Sequence, residues 1–297
     1  MGELIIGFVG LGNMGWPMAA NLHAAGFPLV VRDAAADRQL AFSGAHPGAV
    51  AADQPGAFAV ADIVVTMLPD GAVVADALLN WGIAAALAPG ALVVEMSSAD
   101  PSDTRKTGAG LAARGVRMVD APVSGGVPRA VTGELSLMVG GDDADVAGAQ
   151  PVLRVLGDPA RQFRTGALGT GHAMKALNNV VAAATTCVTA EALVVGRRFG
   201  LDQKTMVDVI NASTGRSFVS EIFGSEVLTG RYGTGFALGL LAKDVRIALS
   251  VAAAAGVDAP AITLTEERWA EALGALGPAA DQSKAHQAWW ADKLTEQ

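Results

Sequence analysis

The stretch GFVGLGNMGWPMAANL, Gly7 to Leu22, decides how the rest of the chain is read. An apolar run, Leu4 to Val9, leads into its glycines and reads as a short buried strand. Pro17 to Ala25 follows and reads as a helix. Gly10, Gly12 and Gly15 therefore stand in a strand–turn–helix, where the backbone turns tightly and approaches a ligand closely. The free N–H groups and positive dipole end of that helix suit a pyrophosphate. Glycine is common in this chain, 36 of 297 residues, so the spacing by itself carries little.

The carboxylate that follows carries more. Phe27 to Val31 reads as a second strand, and Asp33 stands at its end, 18 residues beyond Gly15. An acid there accepts the hydroxyls of an adenosine ribose and repels a 2′-phosphate. Ala34 and Ala35 stand where a phosphate-binding site would carry Arg, Ser or Thr. Arg32 precedes the acid, so its side chain is expected on the other strand face. Gly10, Leu11, Gly12, Asn13, Met14 and Asp33 together are read as a site for NAD, with NADP disfavoured. The competing reading of Asp33 is an ordinary acid in a strand-end turn.

Composition narrows the class. Of the residues, 51% are hydrophobic and 17% charged, a balance that builds a large core and argues against disorder. With 21 basic and 29 acidic residues, neither a nucleic-acid surface nor an anionic-membrane surface is expected. Cys187 is the single cysteine and lies in the apolar run VVAAATTCVTA, so it reads as a core thiol and no disulfide framework exists. Glu3 stands where a secretory leader would carry positive charge, and no run of about 18 apolar residues is free of charge. A soluble, cytoplasmic protein is the expectation.

The first half alternates strand and helix patterns. Ala61–Met67, Ala91–Met96, Arg117–Ala121 and Leu135–Gly140 read as further strands, separated by Ala-rich segments of helical period. Such repetition implies a mostly parallel sheet with helices on both faces and ligands beyond its carboxyl edge. Met67, Leu68, Pro69 and Ser98 fall on that edge, as does the loop after Ala121. From about Gly166 the strand signals vanish and long helical stretches begin with His172–Phe199. The division expected is a Rossmann-type α/β domain over residues 1–164 and an all-α domain over 165–297, joined by a long interdomain helix. An apolar helix of that length is usually buried between domains or subunits, which points to a homodimer or homotetramer. Gly230–Gly235 marks a loop, and Trp289 and Trp290 suggest a docked helix end.

Lys175 and Asn179 lie four residues apart in GTGHAMKALNNVV, on one face of that helix and one turn from each other. Burial and the dipole at a helix start both disfavour an ammonium, which suits a group that takes and returns a proton. Asn179 is placed to orient that amine or to bind a reacting oxygen. A snorkelling surface lysine beside a cap-type asparagine is the alternative. Ser124-Gly125-Gly126 offers a hydroxyl and unobstructed N–H groups for an anion, or else forms a plain turn.

Taken in order, these motifs resemble the β-hydroxyacid dehydrogenase family, typified by 3-hydroxyisobutyrate dehydrogenase. The resemblance rests on Gly7–Asn21, on DAPVSGG at Asp120–Gly126, on Gly169–Asn179 and on Lys243-Asp244 in LLAKDVRIAL. It implies an enzyme passing a hydride between NAD(H) and a small anionic hydroxy acid or semialdehyde. It implies substrate-carboxylate binding by Ser124, Gly125 and Gly126, catalysis by Lys175 with Asn179, and a cofactor contact from Lys243. Asp244 reads as a support. Ser97 and Ser98 stand where the family usually has Ser-Thr, keeping a hydroxyl toward the nicotinamide. No metal is implied.

Departures concern the substrate. Arg129 replaces a residue that is often small in the family, and either meets a second anionic group or faces water. Ser213–Ser217 resembles the family's substrate-facing loop, and Phe236 is expected to cover the pocket. Three rivals share the scaffold or its first half. Imine reductases usually lack the lysine found at 175, and 6-phosphogluconate dehydrogenase has a longer helical domain. A non-catalytic NAD-binding module would have no need of Ser124, Lys175 and Asn179 together.

Overall fold

The computed structural model describes residues 4–290; Glu3 lies outside them. Among the described residues nine strands form one sheet: β1 (Ile6–Val9), β2 (Leu29–Arg32), β3 (Val50–Ala51), β4 (Ile63–Thr66), β5 (Leu92–Glu95), β6 (Arg117–Asp120), β7 (Val123–Ser124), β8 (Leu135–Gly140) and β9 (Gly157–Gly166). Their order is β3-β2-β1-β4-β5-β6-β8-β7, with β9 on β8. Strands β1 to β6 pair in parallel, and β8 runs antiparallel to β6 and β7. The central register sets Arg32, Val9, Thr66, Glu95 and Asp120 side by side across the sheet. The residues after them line one carboxyl edge, which is where the dinucleotide loop begins.

Both sheet faces are buried, as a parallel sheet requires. Phe8, Val31, Val65, Val94 and Val119 pack on one face with Met18, Leu22, Val152 and Leu153 from the helices Gly15–Ala24 and Asp143–Leu156. Val9, Val30, Val64, Val93 and Met118 alternate onto the other, against Phe58, Leu78 and Leu111. Burying one such side chain stabilises the fold by about 1.5–3 kcal/mol. Asp100 caps the helix Pro101–Ala112, its Oδ1 accepting the Ser102 N–H at 2.7 Å.

The chain divides into compact units at Lys175/Ala176, beyond the boundary at 164 drawn from the sequence. Arg164 lies inside β9: it pairs with Val139, and its guanidinium donates to the carbonyls of Val139 and Gly141 and meets Asp143. These bonds tie the segment to the sheet. The long helix Thr170–Phe199 begins in the first unit and continues into the second. By length and composition it could cross a membrane, but half of its most apolar window is buried within the protein.

From Ala176 to Trp290 the structure is helical, its one extended pairing an isolated bridge between Ala237 and Asp281. Trp269 fills the centre among Ala183, Val245, Ala248 and Trp289, and its Nε1 donates to the Ala183 carbonyl at 3.2 Å. Trp289 Nε1 donates to the Arg268 carbonyl at 2.7 Å, so this helix end is docked.

Candidate functional site

The dinucleotide loop is shaped by what a side chain would strike. Gly10 has φ +98°, and an added Cβ would overlap the Met67 carbonyl and crowd Leu68. A Cβ on Gly15 would overlap the carbonyl oxygen of Gly10, so the helix start can lie on the turn only with glycine there. At Gly12 a Cβ would meet nothing within 4 Å. That open space, backed by the loop Gly10–Met14, is the cradle a pyrophosphate needs, and the residues present fit NAD(P). A groove of about 420 Å³ lies beside it, lined by Leu11, Gly12, Asn13, Trp16, Arg38 and Val131 among others.

Asp33 is buried and closes this loop. Its Oδ2 accepts the Leu11 N–H at 2.7 Å and its Oδ1 the Ala35 N–H at 2.9 Å. Arg38 approaches Oδ1 at 3.5 Å with half its side chain exposed. No motif in the sequence marks Arg38, which reaches Asp33 from the first turn of the helix Ala36–Ala45. Arg32 turns to the other face, its guanidinium 4.8 Å over the Trp81 ring. It donates to Gln39 Oε1 and to the Asp33 carbonyl.

On the same edge, Met67 and Leu68 are half-buried, Pro69 is exposed and Ser98 half-buried. Ser97 is buried and spent on structure: its Oγ accepts the Leu68 N–H at 2.9 Å, and its own N–H goes to Glu95 Oε1 at 2.7 Å. Ser124 ends β7, followed by Gly125 at φ +132° and Gly126 at φ +64°. The Arg129 side chain lies over Gly125, where a Cβ would come within 2.5 Å of its Cδ.

A buried charged cluster, not singled out from the sequence, joins these loops to the long helix. Asp120 Oδ1 accepts the Gly169 N–H at 2.7 Å, and its Oδ2 the His172 N–H at 2.8 Å. His172 Nε2 lies 2.7 Å from Glu95 Oε2, with both side chains inaccessible. Thr104 Oγ1 donates to the Asp100 carbonyl at 3.2 Å, leaving its lone pairs for His172 Nδ1 at 2.8 Å. An imidazolium here would turn an N–H on each ring nitrogen toward these oxygens. Burial opposes that charge, but the Glu95 and Asp120 carboxylates outweigh it and raise the His172 pKa. For Glu95, burial again opposes ionisation, and His172 with the Ser97 hydrogen bonds holds its pKa down. The signal available in the sequence was Glu95 itself, an acid in the apolar strand ALVVEM.

Lys175 is half-buried at the end of the first unit. Asn179, Phe236 and Lys243 belong to the second. There the buried Asn179 donates through Nδ2 to Asp244 Oδ2 at 2.6 Å, and its Oδ1 accepts from Asn178 at 3.1 Å. Lys243 Nζ stands 3.5 Å from Asp244 Oδ1. Asp244 thus gathers two of the residues read as functional. Phe236 is half-buried at the edge of the Trp269 core. Among the described residues no group of three or more His, Cys, Asp or Glu side chains is arranged to hold a metal ion.

Residues 5–190 match the family described as the NAD binding domain of 6-phosphogluconate dehydrogenase. Residues 169–289 match that described as NAD-binding of NADP-dependent 3-hydroxyisobutyrate dehydrogenase. The chain is 36% identical over 258 residues to 2-(hydroxymethyl)glutarate dehydrogenase of Eubacterium barkeri, covering 86% of this chain and 84% of that one. The structure of Mycobacterium tuberculosis 3-hydroxyisobutyrate dehydrogenase with L-serine superposes with a TM-score of 0.88 at 33% identity, covering 97% and 100% of the two chains. An imine reductase from Myxococcus stipitatus shares the fold, with a TM-score of 0.65, 19% identity and coverage of 97% and 100%.

Proposed function

The chain belongs to the β-hydroxyacid dehydrogenase family, and from that footing we infer that it moves a hydride between NAD(H) and a small 3-hydroxy acid or its semialdehyde, with Lys175 as the general acid–base. The observation that carries this reading is the pair Lys175 and Asn179, one helical turn apart, with Asn179 held by Asp244. Relatives named for 3-hydroxyisobutyrate and 2-(hydroxymethyl)glutarate point to acids whose hydroxyl sits on the carbon β to a carboxylate. The buried Asp33 supports NAD over NADP.

In the oxidation direction the substrate carboxylate rests on the Ser124 hydroxyl and the N–H groups of Gly125 and Gly126. Lys175, neutral at that moment, takes the hydroxyl proton on Nζ as the C–O bond becomes a carbonyl. The bound nicotinamide supplies the acceptor for the hydride that leaves the same carbon. Asn179, its carboxamide fixed by Asp244, holds the oxygen or the amine in line. In reduction the Lys175 ammonium returns its proton to the carbonyl oxygen. General acid–base help of this kind is worth roughly 10²–10⁴-fold.

Absorbance at 340 nm with a panel of 3-hydroxy acids, NAD and NADP tests the reading. Lys175→Ala should lose turnover by about that factor while still binding NADH. A variant that keeps wild-type kcat across the pH range would remove Lys175 from the mechanism. A soluble cytoplasmic location and a homodimer or homotetramer belong to the same proposal. Supporting the latter, Val181, Val188 and Val195 recur every seven residues along the long helix at 66%, 61% and 61% exposure. A light-scattering mass equal to the 30.0 kDa monomer would refute assembly.

A further inference from the structure

We propose that His172 is the positioning residue for Lys175, tying the first turn of the long helix to both substrate-side loops of the first unit. The inference rests on Lys175 being the proton carrier. His172 lies three residues before Lys175, so the two occupy neighbouring turns of one helix face.

Three ties converge on it, all buried. Through Asp120, which accepts the Gly169 and His172 N–H groups, the helix start is fixed to the end of β6, four residues before Ser124. Through Glu95, His172 reaches the Ser97 N–H, and Ser97 Oγ in turn holds the Leu68 N–H. Through Thr104 it is joined to the helix that begins at Pro101. The anion loop, the Leu68–Ser98 edge and the turn carrying Lys175 therefore share one rigid hub.

Packing alone does not explain such a hub. Taking three ionisable groups out of water costs several kcal/mol per ion, and an apolar cluster of the same volume would hold the fold as well. What the charges add is fixed distance: His172 Nε2 stands 2.7 Å from Glu95 Oε2, and the two Asp120 oxygens each accept a backbone N–H from the start of the long helix. Proton transfer depends on that geometry: a displacement of about 1 Å can cost roughly 10²-fold in rate.

Two variants loosen the hub without emptying it. Thr104→Val removes the hydroxyl 2.8 Å from Nδ1 and leaves the ion pairs with Glu95 and Asp120. His172→Gln keeps a donor toward Glu95 and removes the charge. Both should bind NADH within about twofold of wild type and keep hydroxy-acid KM within about threefold. Their kcat should fall about 5–20-fold and about 10–100-fold respectively. Thr104→Val should have no further effect on kcat in a Lys175→Ala background, since it acts through the amine. Lower thermal stability with wild-type kcat per folded enzyme, or additive losses in the double variant, would overturn the proposal. If His172→Gln does not fold, Thr104→Val decides. Lys175→Ala with near-normal turnover would instead defeat the reading of Lys175, whatever the His172 variants do.

Discussion

Asn179 Nδ2 donates to Asp244 Oδ2 at 2.6 Å, a bond between buried groups 65 residues apart. It joins the long helix to the helix Leu238–Ala254 and leaves the carboxamide one orientation. Removing the acceptor strands a buried donor, which costs about 1–3 kcal/mol. Asp244→Ala should lower the urea-derived stability by at least that amount. It should also reduce kcat by about tenfold, because Asn179 is no longer held. Unchanged kcat in the folded variant would limit Asp244 to stability.

The glycine loop makes two opposite forecasts. Gly15→Ala drives a methyl into the Gly10 carbonyl and should cost more than about 3 kcal/mol, seen as a low Tm or insoluble protein. Gly12→Ala meets no protein atom within 4 Å, so its Tm should match wild type. Its affinity for NADH should nevertheless fall by about tenfold or more, since the methyl enters the phosphate cradle. Wild-type NADH affinity by fluorescence titration would place the cofactor elsewhere.

Cofactor choice should turn on Asp33 and Arg38. Asp33→Ala removes the carboxylate that repels a 2′-phosphate and releases Arg38 to meet one. The ratio of kcat/KM for NADP to that for NAD should rise by about tenfold or more. Adding Arg38→Ala should reverse most of that gain. A ratio indifferent to both changes would mean that selectivity lies outside this turn.

Stability should depend on pH through the buried cluster. The His172 pKa is raised above its ordinary 6.5, so its contribution is complete below that value and is lost as pH rises through the folded pKa. The Glu95 pKa is lowered from 4.5, so its contribution is complete above that value and is lost as pH falls through the folded pKa. Both are complete between 4.5 and 6.5, where the urea midpoint should be highest. His172→Gln/Glu95→Gln should flatten the decline on either side of that window. An equal slope in the double variant would move the dependence to other groups.

Cys187 should be silent. Burial pushes its thiol up to about 12, so almost no thiolate forms at neutral pH. A chromogenic disulfide reagent should modify it only on unfolding. Rapid labelling of native enzyme would mean that the helix opens.

Local chemistry explains what could be read without coordinates. The strand cores around Phe8, Val31, Val65 and Val94 show as apolar runs, and Asp33 and Asp100 stand where turns and caps want acids. Strand β9 carries no strand signal of its own because GDPARQFRTG is polar and mostly unburied, an edge segment whose pairing with β8 supplies what its pattern lacks. The strands Val50–Ala51 and Val123–Ser124, two residues each, are too short to show any period.

By itself, then, the sequence determined the strand–glycine–helix entry, the parallel sheet, the helical second half and the spacing of Lys175 and Asn179. Each of these is encoded within a few residues, by steric freedom at glycine or by the period of a strand or helix. Only the tertiary structure decided that Arg38 meets Asp33, that Asp244 fixes Asn179, and that Glu95 and Asp120 clasp His172 beside the lysine's turn. The last two join residues tens of positions apart, and all depend on how elements register in space. Neighbouring positions in one chain carry no record of that register until the sheet aligns Glu95 with Asp120.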